Sequence, residues 1–131
     1  SREHVGAAVS GGALYVLSGR VSGTNFAVTE RYVPKRGRWE RMADSKRTRG
    51  GNAATALADG RIVLAGGEEA AGTIAEVELY DPTKDRWSML PPMRTPRHGL
   101  GMVAKGMRAY TILGGPEPGL FYSNRLEFLD I

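Results

Sequence analysis

Residues 62–67 read Ile-Val-Leu-Ala-Gly-Gly, and Tyr80 and then Trp87 follow them along the chain. A shift of 48 positions toward the N-terminus leads from Tyr80 to Tyr32 and from Trp87 to Trp39. A fixed period of this size indicates units that cannot bury their own apolar faces and must stack on their neighbours. The sequence is therefore a tandem repeat.

A third unit follows with a change of phase. Gly114-Gly115 lies 48 residues after Gly66-Gly67, whereas Leu126–Asp130 matches Val77–Asp81 best at a shift of 49. This difference predicts one additional residue in the intervening loop. No counterpart of Arg86–Leu90 follows Leu126–Asp130, so we expect two full units and a third that lacks its tail.

Each unit can be divided into four short strands, as unit 2 illustrates. Gly51–Leu57 is a run of small and apolar residues that suits a crowded inner strand, and Ala58–Arg61 contains the Asp-Gly pair of a tight primed turn. Ile62–Ala65 is a continuous apolar run, as expected of a strand covered on both faces. Ala75–Tyr80 alternates polar and apolar residues and predicts a half-exposed strand, and Arg86–Leu90 forms the outer strand.

The other two units follow the same plan, and we find no amphipathic helix. Their predicted strands are Val5–Val9, Leu14–Leu17, Val28–Val33, Arg38–Met42, Leu100–Ala104, Ala109–Leu113 and Asn124–Leu129. Four strands per unit at this period are typical of a propeller blade. We therefore predict an all-β fold.

Four apolar residues, a glycine pair, a tyrosine and a tryptophan seven positions later together resemble the kelch repeat. The pattern is complete in unit 2, Ser18-Gly19 replaces the glycine pair in unit 1, and Leu129 takes the tyrosine position in unit 3. The resemblance covers the whole chain and implies kelch-type blades of four antiparallel strands, about three in number, in a half or partial propeller. We assign residues 1–131 to one partial propeller, with blades at 1–48 and 49–96 and an incomplete blade at 97–131.

The repeated glycines and aromatic residues are interpreted as structural. Glycine lets the chain leave a buried strand in conformations that a Cβ would forbid, and Tyr and Trp bury large apolar areas between sheets. The residues assigned to this motif are Gly19, Tyr32, Trp39, Gly66, Gly67, Tyr80, Trp87, Gly114 and Gly115.

Composition narrows the class of protein. Hydrophobic residues make up 41% and charged residues 24% of the chain, and no apolar run approaches the ~18 residues of a membrane span. The chain has 0 cysteines, which excludes disulfides, thiolate metal sites and cysteine nucleophiles. Ser1–His4 contains neither a start methionine nor an apolar signal core, so we expect a processed or trimmed chain. The sequence does not distinguish a cytoplasmic from a secreted bacterial location.

Positive charge is concentrated in the first part of the chain. Residues 1–50 contain ten Lys or Arg and four Asp or Glu, whereas residues 51–131 contain eight and ten. The run from Arg31 to Arg49 would favour an acidic partner or a phosphate-rich polymer. Strand alternation and the turn at Pro34–Gly37 scatter these side chains, so we expect a solvated rim and do not favour nucleic acid as a partner.

Binding residues are sought on loops, because a repeat scaffold displays its variable segments on one face. The loops that differ most between units are Arg20–Ala27, Glu68–Ile74, Pro116–Ser123, Ala43–Arg49 and Pro91–Arg97. Arg49 and Arg97 recur at the repeat period and lie near the expected channel mouth, so they are candidates for which a scaffold role is preferred. The non-recurring candidates are Arg20, Asn25, Phe121, Tyr122 and Asn124.

The sequence gives little support for an enzymatic function. The nucleophile elbow, the zinc-protease motif, the phosphate-binding loop and the EF-hand pattern are all absent, so we assign no catalytic, metal or cofactor residues. His4 and His98 begin units and are interpreted as polar inner-strand residues, and Glu68, Glu69 and Glu117 are expected to be solvated. Kelch-like copper-radical oxidases need a cysteine, whereas a kelch-type sugar epimerase could take its acids and bases from other blades.

Three blades form an open arc, since propellers close with about 4–8 blades. The arc would expose two apolar flanks and so implies a partner. Either two chains close a six-bladed ring head to tail, or the chain is part of a longer propeller, or the arc is isolated. The preferred function is a non-enzymatic binding scaffold for a protein or peptide; the alternative is a carbohydrate-active propeller, with a glycan ligand.

Overall fold

The computed structural model describes all residues, 1–131, and confirms an all-β fold. The only helix is a three-residue 3-10 turn, which is far too short to span a membrane. The strands are β1 Gly6–Ser10, β2 Ala13–Leu17, β3 Arg20–Val21, β4 Thr24–Asn25, β5 Thr29–Val33, β6 Arg38–Met42, β7 Ala53–Ala56, β8 Ile62–Ala65, β9 Glu68–Glu69, β10 Gly72–Thr73, β11 Val77–Asp81, β12 Arg86–Leu90, β13 Gly101–Lys105, β14 Arg108–Ile112 and β15 Leu126–Asp130, and the 3-10 helix is Pro34–Arg36.

Three antiparallel sheets make up the body of the molecule. Sheet I has the order β1-β2-β5-β6, sheet II has the order β7-β8-β11-β12, and sheet III contains β13-β14-β15. Two short hairpins, β3-β4 and β9-β10, are inserted after the second strand of sheets I and II. The predicted blades of antiparallel strands are confirmed, and the loop predicted at Glu68–Ile74 contains the β9-β10 hairpin.

Sheets I and II pack through a cluster centred on aromatic side chains. The ring centroid of Tyr80 lies 5.9 Å from that of Tyr15 on sheet I and 4.9 Å from that of Trp87 on its own sheet. Leu17 and Ile62 are fully buried beside them. The repeated spacing of Tyr80 and Trp87 therefore serves, in the second unit, to join one sheet to the next.

Sheets II and III pack through aliphatic residues instead. Val63, Leu79 and Met93 of sheet II and its connector are buried against Leu100 and Ala109 of the third unit. A sheet that is covered on both faces requires apolar residues on both, which explains the continuous run in β8.

Strand β11 differs from its prediction. Its alternating pattern predicts a half-exposed strand, but Val77–Tyr80 is buried throughout, including Glu78. The prediction is wrong because Glu78 does not face solvent; it forms an ion pair with Arg49, which allows a charged residue to occupy the interior.

The strand register also corrects the alignment of the third unit. The amide of Ser18 donates to Val28 O in sheet I, and the amide of Leu113 donates to Arg125 O in the same way in sheet III. The counterpart of Gly66-Gly67 is therefore Leu113-Gly114, and not Gly114-Gly115 as predicted. The β13-β14 hairpin is one residue shorter than β7-β8, and the following loop is two residues longer.

The turn between β7 and β8 is also different from the prediction. Only Gly60 has a positive φ, of +87°, and the amide of Leu57 donates to Arg61 O, so the loop contains three residues and is not a two-residue primed turn. The two-residue primed geometry occurs instead at Gly11-Gly12, where both φ angles are positive.

Candidate functional site

The connections that follow the second strand of each sheet lie together on one surface, which we call the hairpin face. It consists of the β3-β4 hairpin, the β9-β10 hairpin and the loop 116–123. Isolated bridges of the same kind anchor all three connections: Glu3 to Arg20, Gly50 to Glu68 and His98 to Gly115. The hydroxyl of Thr73 also donates to Pro116 O at 2.8 Å, which links the second connection to the third.

Glu68 is the centre of the hairpin face. One carboxylate oxygen accepts a hydrogen bond from Arg20 at 3.0 Å, and the other lies 3.6 Å from His98 Nδ1 and 3.3 Å from the amide nitrogen of Gly119. The main-chain oxygen of Glu68 accepts from Asn25 at 2.7 Å. The side chain is only 12% exposed, so the expectation that it is solvated is wrong.

Arg20 connects this network to the first unit. Its second guanidinium nitrogen lies 3.0 Å from His4 Nε2, and its Nε lies 3.7 Å from Glu3. Arg20 and Asn25 face each other across the β3-β4 hairpin. The structure therefore brings together two of the predicted binding candidates, and it adds Glu68, His98 and His4 to them.

The charged groups of this network are paired with one another. Both oxygens of Glu68 have partners within the protein, and Arg20 balances its charge. No group of three or more His, Asp or Glu side chains is arranged to hold a metal ion. The network holds the three connections in a fixed relation to one another.

The loop 116–123 supplies the most exposed apolar side chains of the hairpin face. Leu120 is fully exposed, Tyr122 is 91% exposed and Phe121 is 53% exposed. The loop is attached at its base, because Glu117 O lies 2.9 Å from His98 Nε2. Asn124 is exposed at the end of this loop. Two predicted candidates, Phe121 and Tyr122, thus lie in one apolar group.

Arg49 lies elsewhere, in the interior between sheets. It is fully buried, and its guanidinium group donates to Gly66 O, Glu76 O and the Glu78 carboxylate at 2.8, 2.9 and 2.6 Å. Burial lowers the pKa of Arg49 from its ordinary value, and the charge of Glu78 opposes that shift. These contacts support the scaffold interpretation of Arg49.

Arg97 repeats this arrangement in the third unit. It donates to Leu113 O at 2.8 Å and Arg125 O at 2.9 Å, and it lies 3.2 Å from the Glu127 carboxylate. Arg97 is also fully buried, and burial lowers its pKa. A scaffold role is favoured for this candidate as well.

Arg2 occupies the same place in the first unit, which the repeat period does not predict. It donates to Ser18 O at 2.9 Å and to Glu30 at 2.8 Å. Arg2 precedes Arg49 by 47 residues, and a search at a period of 48 passes over it. An arginine that binds a carbonyl and a glutamate of its own unit is therefore a feature of all three repeats.

The basic run of the first unit is largely paired with carboxylates. Arg31 and Arg38 converge on Glu40, at 2.7 and 3.0 Å. Arg47 pairs with Glu69 at 2.5 Å and with Glu76. Most of the positive side chains of this run therefore have a carboxylate partner within the chain.

The stacked sheets, the glycine turns and the aromatic residues that join adjacent sheets define a propeller-type repeat protein. The family model of the Kelch motif matches residues 1–46 and 49–94. The chain therefore belongs to the kelch-repeat family. No curated protein matches the chain.

Proposed function

We propose that the chain is a non-enzymatic protein-binding module that presents the hairpin face to a partner protein or peptide. Kelch repeats suggest a protein-interaction or scaffold role. The observation that carries the proposal is the exposed apolar group Leu120-Phe121-Tyr122 on a loop anchored to a rigid polar network. Adjacent exposed apolar side chains mark interaction sites, and tyrosine is frequent among residues that dominate binding energy.

The experiment is a selection of peptides from a displayed library on the immobilised chain. The affinity of a selected peptide is then measured for the variant Leu120→Ser/Tyr122→Ser, and we expect a loss of at least about tenfold, since anchor residues commonly contribute more than 1.4 kcal/mol. The matched control is Met89→Ser, an equally polar change at a half-exposed side chain on β12. An affinity that falls for Met89→Ser but not for the double variant would overturn the proposal.

We further propose that a second copy or further blades complete the arc. One row of side chains crosses the four strands of sheet I and consists of Val9, Leu14, Tyr32 and Trp39. Its two outer members, Val9 and Trp39, are 67% and 52% exposed. The equivalent row in sheet II includes Trp87, which is buried. The exposed row is therefore suited to a further sheet, either from the end of a second chain or from the same protein.

The other end of the arc carries a row of the complementary type. Val103, Tyr110 and Phe128 face one another across sheet III, and Val103 and Phe128 are about half exposed. Tyr110 occupies the position of Tyr15, which packs on Tyr80 between sheets I and II. Packing of this row on the Trp39 row of a second copy would close a six-bladed ring. No feature of the hairpin face favours the carbohydrate-active alternative.

A further inference from the structure

The three connections of the hairpin face carry a charge opposite in sign to that of the whole chain. They contain one positively charged residue, Arg20, and three negatively charged residues, Glu68, Glu69 and Glu117, which gives a formal net charge of −2. The whole chain has a formal net charge of +4, so the remaining residues together carry +6. A patch whose sign differs from that of its surroundings selects partners of the opposite charge.

The arginines beside this face do not neutralise it. Two arginines contact its carboxylates, and each of them is shared with a second glutamate. The pairs are Arg20 with Glu68 and Glu3, at 3.0 and 3.7 Å, and Arg47 with Glu69, at 2.5 Å, and with Glu76. An excess of negative charge therefore remains after pairing within the chain.

Glu117 is the carboxylate of the hairpin face that is left for a partner. The residue is exposed, and its main-chain oxygen, not its side chain, makes the contact with His98. Its carboxylate forms no hydrogen bond and no ion pair within the chain. A cation that approaches Glu117 therefore gains an ion pair without breaking one inside the protein.

The loop that contains Glu117 turns tightly and keeps the charge beside the apolar group. Residues 118–120 form the turn, with a positive φ of +97° at Gly119. The chain then returns so close to its start that a Cβ at Gly115 would collide with Phe121 O. Glu117 lies just before the turn, and the apolar group starts in the turn and continues after it, so the two are neighbours on one surface.

We propose that the partner segment that binds the hairpin face is basic as well as apolar. A Lys or Arg of this segment pairs with Glu117, while a neighbouring apolar side chain contacts Leu120 and Tyr122. The inference rests on the proposed function and adds the charge of the partner to it. The same carboxylates repel an acidic segment, which gives the face its selectivity.

The first experiment compares three displayed peptide libraries on the immobilised whole chain. All share randomised apolar residues at the centre, and they are flanked by Lys and Arg in the first, by Gln and Ser in the second, and by Asp and Glu in the third. We expect binders from the basic library to exceed those from the acidic library at least about tenfold, because like charges at an interface cost affinity. Nonspecific attraction to the positively charged chain would favour the acidic library instead.

The outcomes separate this inference from the proposed function. Equal enrichment from the basic and neutral libraries, with binding that Leu120→Ser/Tyr122→Ser still abolishes, would overturn the inference and leave the proposed function intact. Preferential enrichment from the acidic library would also overturn it. Absence of binders from all three libraries would overturn both.

A basic peptide selected in this way then serves as a fluorescent probe of Glu117. Its affinity is measured by anisotropy for Glu117→Gln and for the matched control Asp59→Asn, which removes the same charge from the turn between β7 and β8, at the opposite end of the sheet. We expect Glu117→Gln to weaken binding about two- to fivefold, as is usual when a partly exposed ion pair is lost, and Asp59→Asn to leave it unchanged. Equal changes would show that only the net charge of the chain matters and would overturn the inference.

An exchange of charges tests the pairing directly. Glu117→Lys is expected to weaken binding of the basic peptide at least about tenfold, since attraction is replaced by repulsion. A peptide whose flanking cations are changed to Glu should bind Glu117→Lys more tightly than it binds the parent chain. Both effects should diminish as the salt concentration rises, because salt screens exposed charges. A basic peptide that binds Glu117→Lys as tightly as it binds the parent chain would contradict the proposed ion pair.

Discussion

Arg2 and Arg49 make the same contacts in adjacent repeats, with a main-chain carbonyl and a glutamate, but they differ in how deeply they are buried. Arg2 is 14% exposed and its partner Glu30 is 39% exposed, whereas Arg49 and Glu78 are both fully buried. A buried charge that loses its partner cannot be solvated, whereas a partly exposed one is hydrated by water. The same side-chain pair should therefore contribute very differently to stability in the two units.

We predict that Arg49→Met lowers the free energy of unfolding by about 3–5 kcal/mol, since it leaves the Glu78 carboxylate and two carbonyls without their buried donor. The matched change Arg2→Met is expected to cost about 1 kcal/mol or less. Urea denaturation of both variants measures the difference. The double variant Arg49→Met/Glu78→Gln should recover part of the loss, and equal losses for the two arginine variants would show that burial is not the cause.

At the scale of elements, the turn after β11 illustrates how a local hydrogen-bond network changes acid–base behaviour. A carboxylate oxygen of Asp81 accepts from the Thr83 hydroxyl at 2.6 Å and from the amides of Thr83 and Lys84 at 3.0 and 3.3 Å. The bond from the Thr83 side chain above all, then the Lys84 ammonium group at 3.2 Å and the two amides, lower the pKa of Asp81 to about 2. They favour the ionised form and fix the turn that leads into β12.

We predict that Thr83→Ala raises the pKa of Asp81 toward its ordinary value near 4. Because the folded-state pKa lies below the unfolded one, the contribution of Asp81 to stability is present above about pH 4 and is lost as the pH falls toward 2. The variant should therefore lose less stability than the parent chain over that interval. NMR titration of the Asp81 carboxyl carbon and denaturation between pH 2 and 5 test this prediction. The control Thr83→Ser retains a hydroxyl and should behave like the parent chain. An unchanged pKa of Asp81 in Thr83→Ala would show that the Thr83 hydroxyl does not cause the shift.

The elements predicted best from the sequence are those set by local pattern. Strands β8 and β12 have the predicted bounds, Ile62–Ala65 and Arg86–Leu90. The first is an apolar run between turn residues, and the second follows a turn that contains proline. Both signals lie within a few residues of the strand that they define. The predicted counterpart of Gly66-Gly67 in the third unit is wrong. The prediction matches one glycine pair to another at a shift of 48, whereas the β13-β14 hairpin is one residue shorter than β7-β8 and moves the true counterpart one residue toward the N-terminus.

The candidate site was predicted only in part. Arg20 and Asn25 are candidates because they differ from their repeat counterparts, whereas the sequence predicts a solvated Glu68, which the structure places in a network with both of them. Its burial follows from pairing with Arg20, which holds the equivalent position one unit earlier. The sequence does show that Arg20 and Glu68 carry opposite charges 48 residues apart. Only the stacking of the units in the structure shows that these two positions are neighbours.

At the scale of the whole molecule, repetition gives the two ends of the arc different surfaces. The end at sheet I presents a row that includes Tyr32 and Trp39, and the end at sheet III presents a row that includes Tyr110. Within the chain, a row of the second kind already packs on a row of the first kind, where Tyr15 contacts Tyr80. The two ends are therefore complementary to each other and not to themselves, which favours a head-to-tail contact.

We predict from this that light scattering of the chain gives the mass of two copies, and that either Trp39→Glu or Tyr110→Glu alone gives monomers, since a charge at a packed apolar contact is costly to bury. In a head-to-tail ring each variant loses both contacts. A mixture of the two variants retains one contact that is intact on both sides, between Tyr110 of the first variant and Trp39 of the second, so dimers should reappear in the mixture. A dimer that persists in Tyr110→Glu would exclude the ring. So would a mixture that stays monomeric while circular dichroism shows both variants to be folded. A monomeric parent chain would leave completion of the arc to further blades of the same protein.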